Sequence, residues 1–204
     1  MAHFEIIVVI AAGGLSSRMG SDKLKLFYES GEQFKNMKTL FQALNTEIFF
    51  SIRKDQDYSF LNNKNILFDD DEFTGRGPIS GLLSANKKFP SSSILYLGCD
   101  YPLITTEEIN LLVSQYRNKK TKSFFKENYE PLITLYSETC FEELIKYFIS
   151  GNYSLKKFLA KINAEKIICP NPERLMSVDT QDEYAIFKKN KSIIIRNDKP
   201  IKNS

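Results

Sequence analysis

Histidine is nearly absent: among 204 residues there is one, His3, close to the start of the chain. That scarcity excludes the Ser-His-Asp and Cys-His arrangements in which an imidazole carries the proton. Cysteine is scarce as well. Cys99, Cys140 and Cys169 are odd in number, far apart, and each lies beside apolar residues. No C-x-x-C pair occurs, so neither a zinc site nor a disulfide framework is expected, and buried thiols in a reducing compartment are. There is no large excess of one charge: 28 Lys and Arg against 25 Asp and Glu leave +3. That is too little to argue for nucleic acid or an anionic membrane as partner. Much of it falls on Lys188, Lys189, Lys191, Arg196, Lys199 and Lys202, so residues 190–204 read as a loose basic tail on a domain of residues 1–189. Long apolar runs are missing too, which leaves no candidate membrane span. Residues 6–12 lack the basic flank of a secretory signal and follow Glu5, so a cytoplasmic protein is expected.

What is present is a globular composition, 42% hydrophobic and 26% charged, at a length that suits one domain with a core covered on both faces. Apolar β-rich runs alternate with amphipathic stretches, the pattern of an α/β fold with a mostly parallel sheet flanked by helices. Strands are expected at 6–11, 47–52, 66–68, 93–97 and 165–168, and a hairpin of 122–125 with 131–136 turning at Asn128. Helices are expected at 35–44, 78–88 with Pro78 in its first turn, 105–116, 138–150, 154–160 and 180–188.

Three loops follow strands and should meet at one edge of the sheet, where open α/β folds bind phosphorylated ligands. The first, Ala12-Gly13-Gly14-Leu15-Ser16-Ser17-Arg18-Met19-Gly20-Ser21-Asp22-Lys23, matches neither the Walker A spacing nor G-x-G-x-x-G. Two readings stay open for it: a long turn cradling a triphosphate, with Arg18 and Lys23 as donors, or an ordinary strand-to-helix turn with solvated charges. The second loop, 68–78, carries four adjacent acids, Asp69 to Glu72, of which Asp70 is the favoured candidate and the rest are expected to be solvated. It ends on Gly77-Pro78, and Gly77 and Gly81 would either let a planar base approach the backbone or form a tight helix start. The third, Gly98-Cys99-Asp100-Tyr101-Pro102, puts a carboxylate just beyond a buried strand. Asp100 could hold Mg²⁺, which takes one or two carboxylates plus phosphate oxygens. It could instead open a turn, but Thr105 and Thr106 already supply the next helix cap, which weighs toward the cation.

The first loop resembles the A-G-G-x-S-x-R-M-G-x-D-K signature of the MobA-like nucleotidyltransferases. Gly77-Pro78-Ile79-Ser80-Gly81-Leu82 is similar to that family's G-P-L-x-G-L, and Cys99-Asp100-Tyr101-Pro102 to its C-D-x-P. Order and spacing agree across about residues 6–188. The resemblance implies a Rossmann-like sheet of the nucleotide-diphospho-sugar transferase type. It implies, with Asp22-Lys23 where isoprenoid cytidylyltransferases carry Pro-Lys, transfer of GMP from GTP to molybdopterin with release of pyrophosphate. It further implies a nucleotide site at Ala11, Ala12, Gly13, Gly14, Lys23, Ser51, Asp70, Gly77, Gly81 and Asp100. Arg18, Lys23 and Asp100 would act in catalysis, Asp100 would bind Mg²⁺ as cofactor, and proteins of the molybdenum-cofactor pathway become possible partners. Two departures stand out. Ser51 replaces an expected Asn after the second strand, and Val178-Asp179-Thr180-Gln181 replaces V-N-T-P, placing Asp179 where it would face an anionic acceptor.

Overall fold

Ile7, Val8, Val9 and Ile10 are at most 1% exposed, so the first strand, β1 (Ile6–Ala11), is covered on both faces, as an apolar run without alternation demands. The computed structural model describes residues 6–14, 23–28, 31–41, 46–56, 58–114, 116 and 119–194. After β1 come a two-stranded ribbon, β2 (Phe27–Tyr28) and β3 (Gly31–Glu32), then α1 (Gln33–Leu40), β4 (Ile48–Ile52) and β5 (Ile66–Phe68). α2 (Pro78–Lys88), β6 (Ser93–Gly98) and α3 (Thr106–Ser114) follow. The hairpin β7 (Lys122–Phe125) and β8 (Tyr129–Tyr136) leads to α4 (Phe141–Ile149), α5 (Leu155–Lys161), β9 (Glu165–Ile167) and α6 (Gln181–Ile194).

The main sheet has seven strands in the order β5-β4-β1-β6-β8-β7-β9. β8 pairs antiparallel with both neighbours, and every other pairing is parallel. Side chains of a strand alternate between faces, and β1 shows the consequence. Val8 and Ile10 pack with Met37, Leu40, Ile109 and Leu112 of α1 and α3. Ile7 and Val9 pack with Ile79, Leu82, Leu144 and Phe158 of α2, α4 and α5 on the other face. The chain first winds from β1 outward to β4 and β5, then returns through α2 to β6 on the far side of β1. That reversal opens a crevice at the carboxyl ends of β1 and β6. Among the described residues no helix is long and apolar enough to cross a membrane, and the three cysteines are buried without disulfides.

Most predicted elements appear at their expected places, with four corrections. α1 starts at Gln33 rather than at 35, because Gln33 is fully buried and donates from Nε2 to the Cys99 carbonyl at 2.9 Å. Its expected end at 44 falls on residues 42–45, outside the described part. β8 begins at Tyr129, before Pro131. The β7–β8 register shifts between Ser123 and Phe125, opposite residues 130–133, so the missing Pro131 N–H interrupts no regular ladder. Residues 138–140 form a 3₁₀ turn before α4. α6 continues past 188 to Ile194. The short ribbon β2–β3 was not expected at all.

Candidate active site

A cavity of about 810 Å³ occupies the crevice at the carboxyl edge of the sheet. All three loops reach it. From the first come Ala11, Ala12, Gly13, Gly14 and Lys23; from the others come Gly77, Gly81, Cys99 and Asp100, with Ser51 from the end of β4. The backbone fixes their positions. Ala12 N–H donates to the Ser51 carbonyl at 2.9 Å, and Cys99 N–H donates to the Ala11 carbonyl at 3.1 Å, so the ladder extends one step past β1 on both sides. Arg18 lies outside the described residues.

Lys23 is the hub of the site. Its Nζ donates to Asp100 Oδ2 at 3.0 Å and also to Asp179 Oδ1. Burial works against the ammonium, but Asp100 and Asp179 outweigh it and hold the Lys23 pKa above that of an ordinary lysine. Burial pushes the Asp100 carboxyl up; Lys23 opposes that rise, and the neighbouring Asp179 carboxylate adds to it. The other Asp100 oxygen, Oδ1, is buried without a hydrogen-bond partner among the described residues. It folds back over Gly98, where a Cβ would collide with it and lie 3.0 Å from the Tyr101 ring. Gly98 is therefore a requirement of the Asp100 rotamer, which the sequence reading did not anticipate.

A buried carboxylate with one oxygen unsatisfied among the described residues fits a hard divalent cation completed by phosphate oxygens. Asp100 could hold Mg²⁺ here. Among the described residues no group of three or more His, Cys, Asp or Glu forms an all-protein metal cage.

Asp179 is positioned by its own chain. Val178 N–H donates to the Asp100 carbonyl at 2.8 Å, docking the segment before α6 onto the Asp100 loop. Glu183 Oε2 accepts from the backbone N–H groups of Asp179 and Thr180 at 2.7 and 2.9 Å, and Thr180 Oγ1 accepts from Glu183 N–H at 3.2 Å. This reciprocal cap holds the start of α6 against the cavity.

The acidic loop differs from expectation. Asp70 does not line the cavity. Lys87 binds its carboxylate at 2.9 Å on the outer side of α2, and that hydrogen bond, with one from Glu72 N–H, keeps the carboxyl below its usual range. Asp69 lines the cavity instead, and burial raises its pKa against the opposing charge of Arg53. The signal was available: Asp69 lies two residues beyond buried Leu67 and continues that face of β5.

The two glycines act differently. Gly77 has φ 76° and ψ −151°, a combination essentially confined to glycine, while a Cβ there would meet nothing within 4 Å. Gly81 is needed for space. A Cβ would collide with Ser51 Oγ and lie 2.8 Å from Tyr96 Oη, which donates to the Pro78 carbonyl at 2.8 Å. The space a side chain at Gly81 would take is thus already filled by two hydroxyls.

The family model described as MobA-like NTP transferase domain matches residues 8–167. The chain belongs to this family. A molybdenum cofactor guanylyltransferase of Campylobacter jejuni subsp. doylei is 26% identical over 200 residues, covering 90% of this chain and 96% of that protein. A probable molybdenum cofactor guanylyltransferase of Bacillus velezensis is 26% identical over 184 residues, covering 86% and 91%. Among solved structures, the molybdopterin-guanine dinucleotide biosynthesis protein A of Archaeoglobus fulgidus superposes with a TM-score of 0.69 at 18% identity, covering 93% of this chain and 99% of its own. At that identity the likeness concerns the fold alone.

Proposed function

We propose that this MobA-like transferase moves GMP from GTP to molybdopterin, releasing pyrophosphate and forming the guanine dinucleotide, with Mg²⁺ as cofactor. The observation that carries the reading is the meeting of the glycine loop, Lys23 and Asp100 in one cavity. The names of the relatives supply the direction of the chemistry.

A phosphate monoester is largely dianionic at neutral pH, with a second pKa of about 6. Its oxygen attacks the α-phosphorus of GTP, a new P–O bond forms, and the bond to the bridging oxygen breaks as pyrophosphate leaves with the electron pair. No general base is required, in keeping with a chain whose one histidine is His3. Bringing two polyanions together is the difficulty. The peptides of Gly13 and Gly14 would hold phosphate oxygens, and Lys23 would exchange a carboxylate partner for the triphosphate. When bound, Mg²⁺ supplies charge neutralisation at the transferred and leaving phosphates. Asp100 would anchor it through Oδ1, the oxygen without a hydrogen-bond partner among the described residues.

Thermal denaturation with each nucleoside triphosphate plus Mg²⁺ tests donor choice, because a ligand that binds the folded form raises the midpoint. GTP should raise it, and CTP, ATP and UTP should do so far less. A rise with CTP alone would contradict the guanylyl assignment.

A further inference from the structure

Glycine has the widest backbone freedom of any residue, so a glycine pair held in one orientation loses the most entropy. Here the carbonyls of Ala12, Gly13 and Gly14 all accept hydrogen bonds from side chains of the segment after β4. Gln56 Nε2 donates to Ala12 O at 3.2 Å, and Arg53 Nη1 donates to both Gly13 O and Gly14 O at 2.8 Å. Asp55 Oδ1 accepts from Arg53 Nε at 2.9 Å and so fixes the plane of the guanidinium. Gln56 is tied to the same residue: its backbone N–H donates to Arg53 O at 3.2 Å, and its Oε1 accepts from Arg53 N–H at 3.4 Å.

A trans peptide points its C=O and the following N–H in opposite directions. The Ala12 carbonyl held by Gln56 and the Gly13 carbonyl held by Arg53 therefore turn the N–H groups of Gly13 and Gly14, respectively, away from those side chains. We propose that Arg53 is a positioning residue for nucleotide binding, a latch that holds the Gly13 and Gly14 peptides in the orientation that receives the triphosphate. The proposal rests on reading this loop as the triphosphate cradle. With the latch, the two glycines are ordered before the nucleotide arrives; without it, the ordering cost is charged to binding. The role suits arginine, since one nitrogen bridges two carbonyls while Nε is held by Asp55, a division that a lysine ammonium on a flexible stem does not reproduce.

The test is calorimetric titration of the full chain with GTP plus Mg²⁺, and separately with guanosine, using the wild type, Arg53→Lys and Arg53→Ala. Arg53→Ala should bind GTP roughly tenfold or more weakly, from the loss of two charge-assisted hydrogen bonds and of preorganisation. Arg53→Lys should fall between, and guanosine, which needs no phosphate cradle, should bind all three alike. GTP affinity unchanged in Arg53→Ala would overturn the latch. So would an equal loss for GTP and guanosine, since a general distortion of the cavity affects both. A wild type that binds no GTP would overturn the nucleotide reading itself, and the latch with it.

Discussion

Asp179 is the residue at which this chain's chemistry departs from the motif it resembles. Its carboxylate shares the Lys23 ammonium with Asp100, so the site holds two acids on one base. An incoming triphosphate competes with both for Lys23. Replacing Asp179 by Asn removes one competing charge from a side chain 36% exposed and leaves its backbone contacts with Glu183 in place. Asp179→Asn should therefore bind GTP with Mg²⁺ about fivefold more tightly, on the order of 1 kcal/mol for one partly screened charge. Weaker binding by calorimetry would show that Asp179 serves the cation rather than competing for the lysine. Lys23 and Asp100 were legible in the sequence because each stands at a fixed distance from an apolar strand. Asp69 and Arg53 were not singled out. Asp69 could have been found by strand alternation from Leu67, whereas which carbonyls an arginine reaches depends on partners that only the folded chain brings together.

Elements were easier to read than their junctions. Strands β1, β5 and β6 and helix α2 lie where their apolar pattern put them, since each is buried strongly enough for composition alone to mark it. The start of α1 was misplaced because Gln33, polar and adjacent to a charged loop, is buried by its bond to the Cys99 carbonyl, 66 residues away. Helix α2 leans on Gly81 for its approach to the sheet. Gly81→Ala would push aside Ser51 and Tyr96 and strain the Tyr96 bond to Pro78. A loss of about 1–3 kcal/mol in chemical denaturation is expected, as for overpacking elsewhere; an unchanged midpoint would contradict the contact. At the opposite edge of the sheet, Glu138 joins the turn before α4 to β6. Burial opposes its ionised form, but hydrogen bonds from Ser93 and Tyr116 and the Lys119 ammonium outweigh that and leave the pKa below the usual glutamate range. A folded-state pKa below the unfolded one stabilises above the unfolded value, and the gain is lost as pH falls through the folded value. Thermal midpoints of the wild type should therefore drop across that acidic window, and Glu138→Gln should flatten the drop. A parallel acid limb in the variant would contradict it.

At the scale of the whole molecule, the winding of the sheet decides where chemistry can occur. The chain passes outward from β1 and returns on its other side, so the loops after β1, β5 and β6 gather at one crevice although their residues are far apart in sequence. The segment before α6 completes the site from more distant sequence, through Val178 and Asp179. The reaction proposed for this crevice is transfer of a nucleotidyl group to a phosphorylated acceptor. Pyrophosphate release, measured with GTP, CTP, ATP and UTP in the presence and absence of molybdopterin, tests it most directly. Release is expected with GTP and molybdopterin together, and should fall by about 10²-fold or more in Lys23→Ala and Asp100→Ala variants that remain folded. Release that ignores molybdopterin, or that persists at the wild-type rate in either variant, would contradict the account.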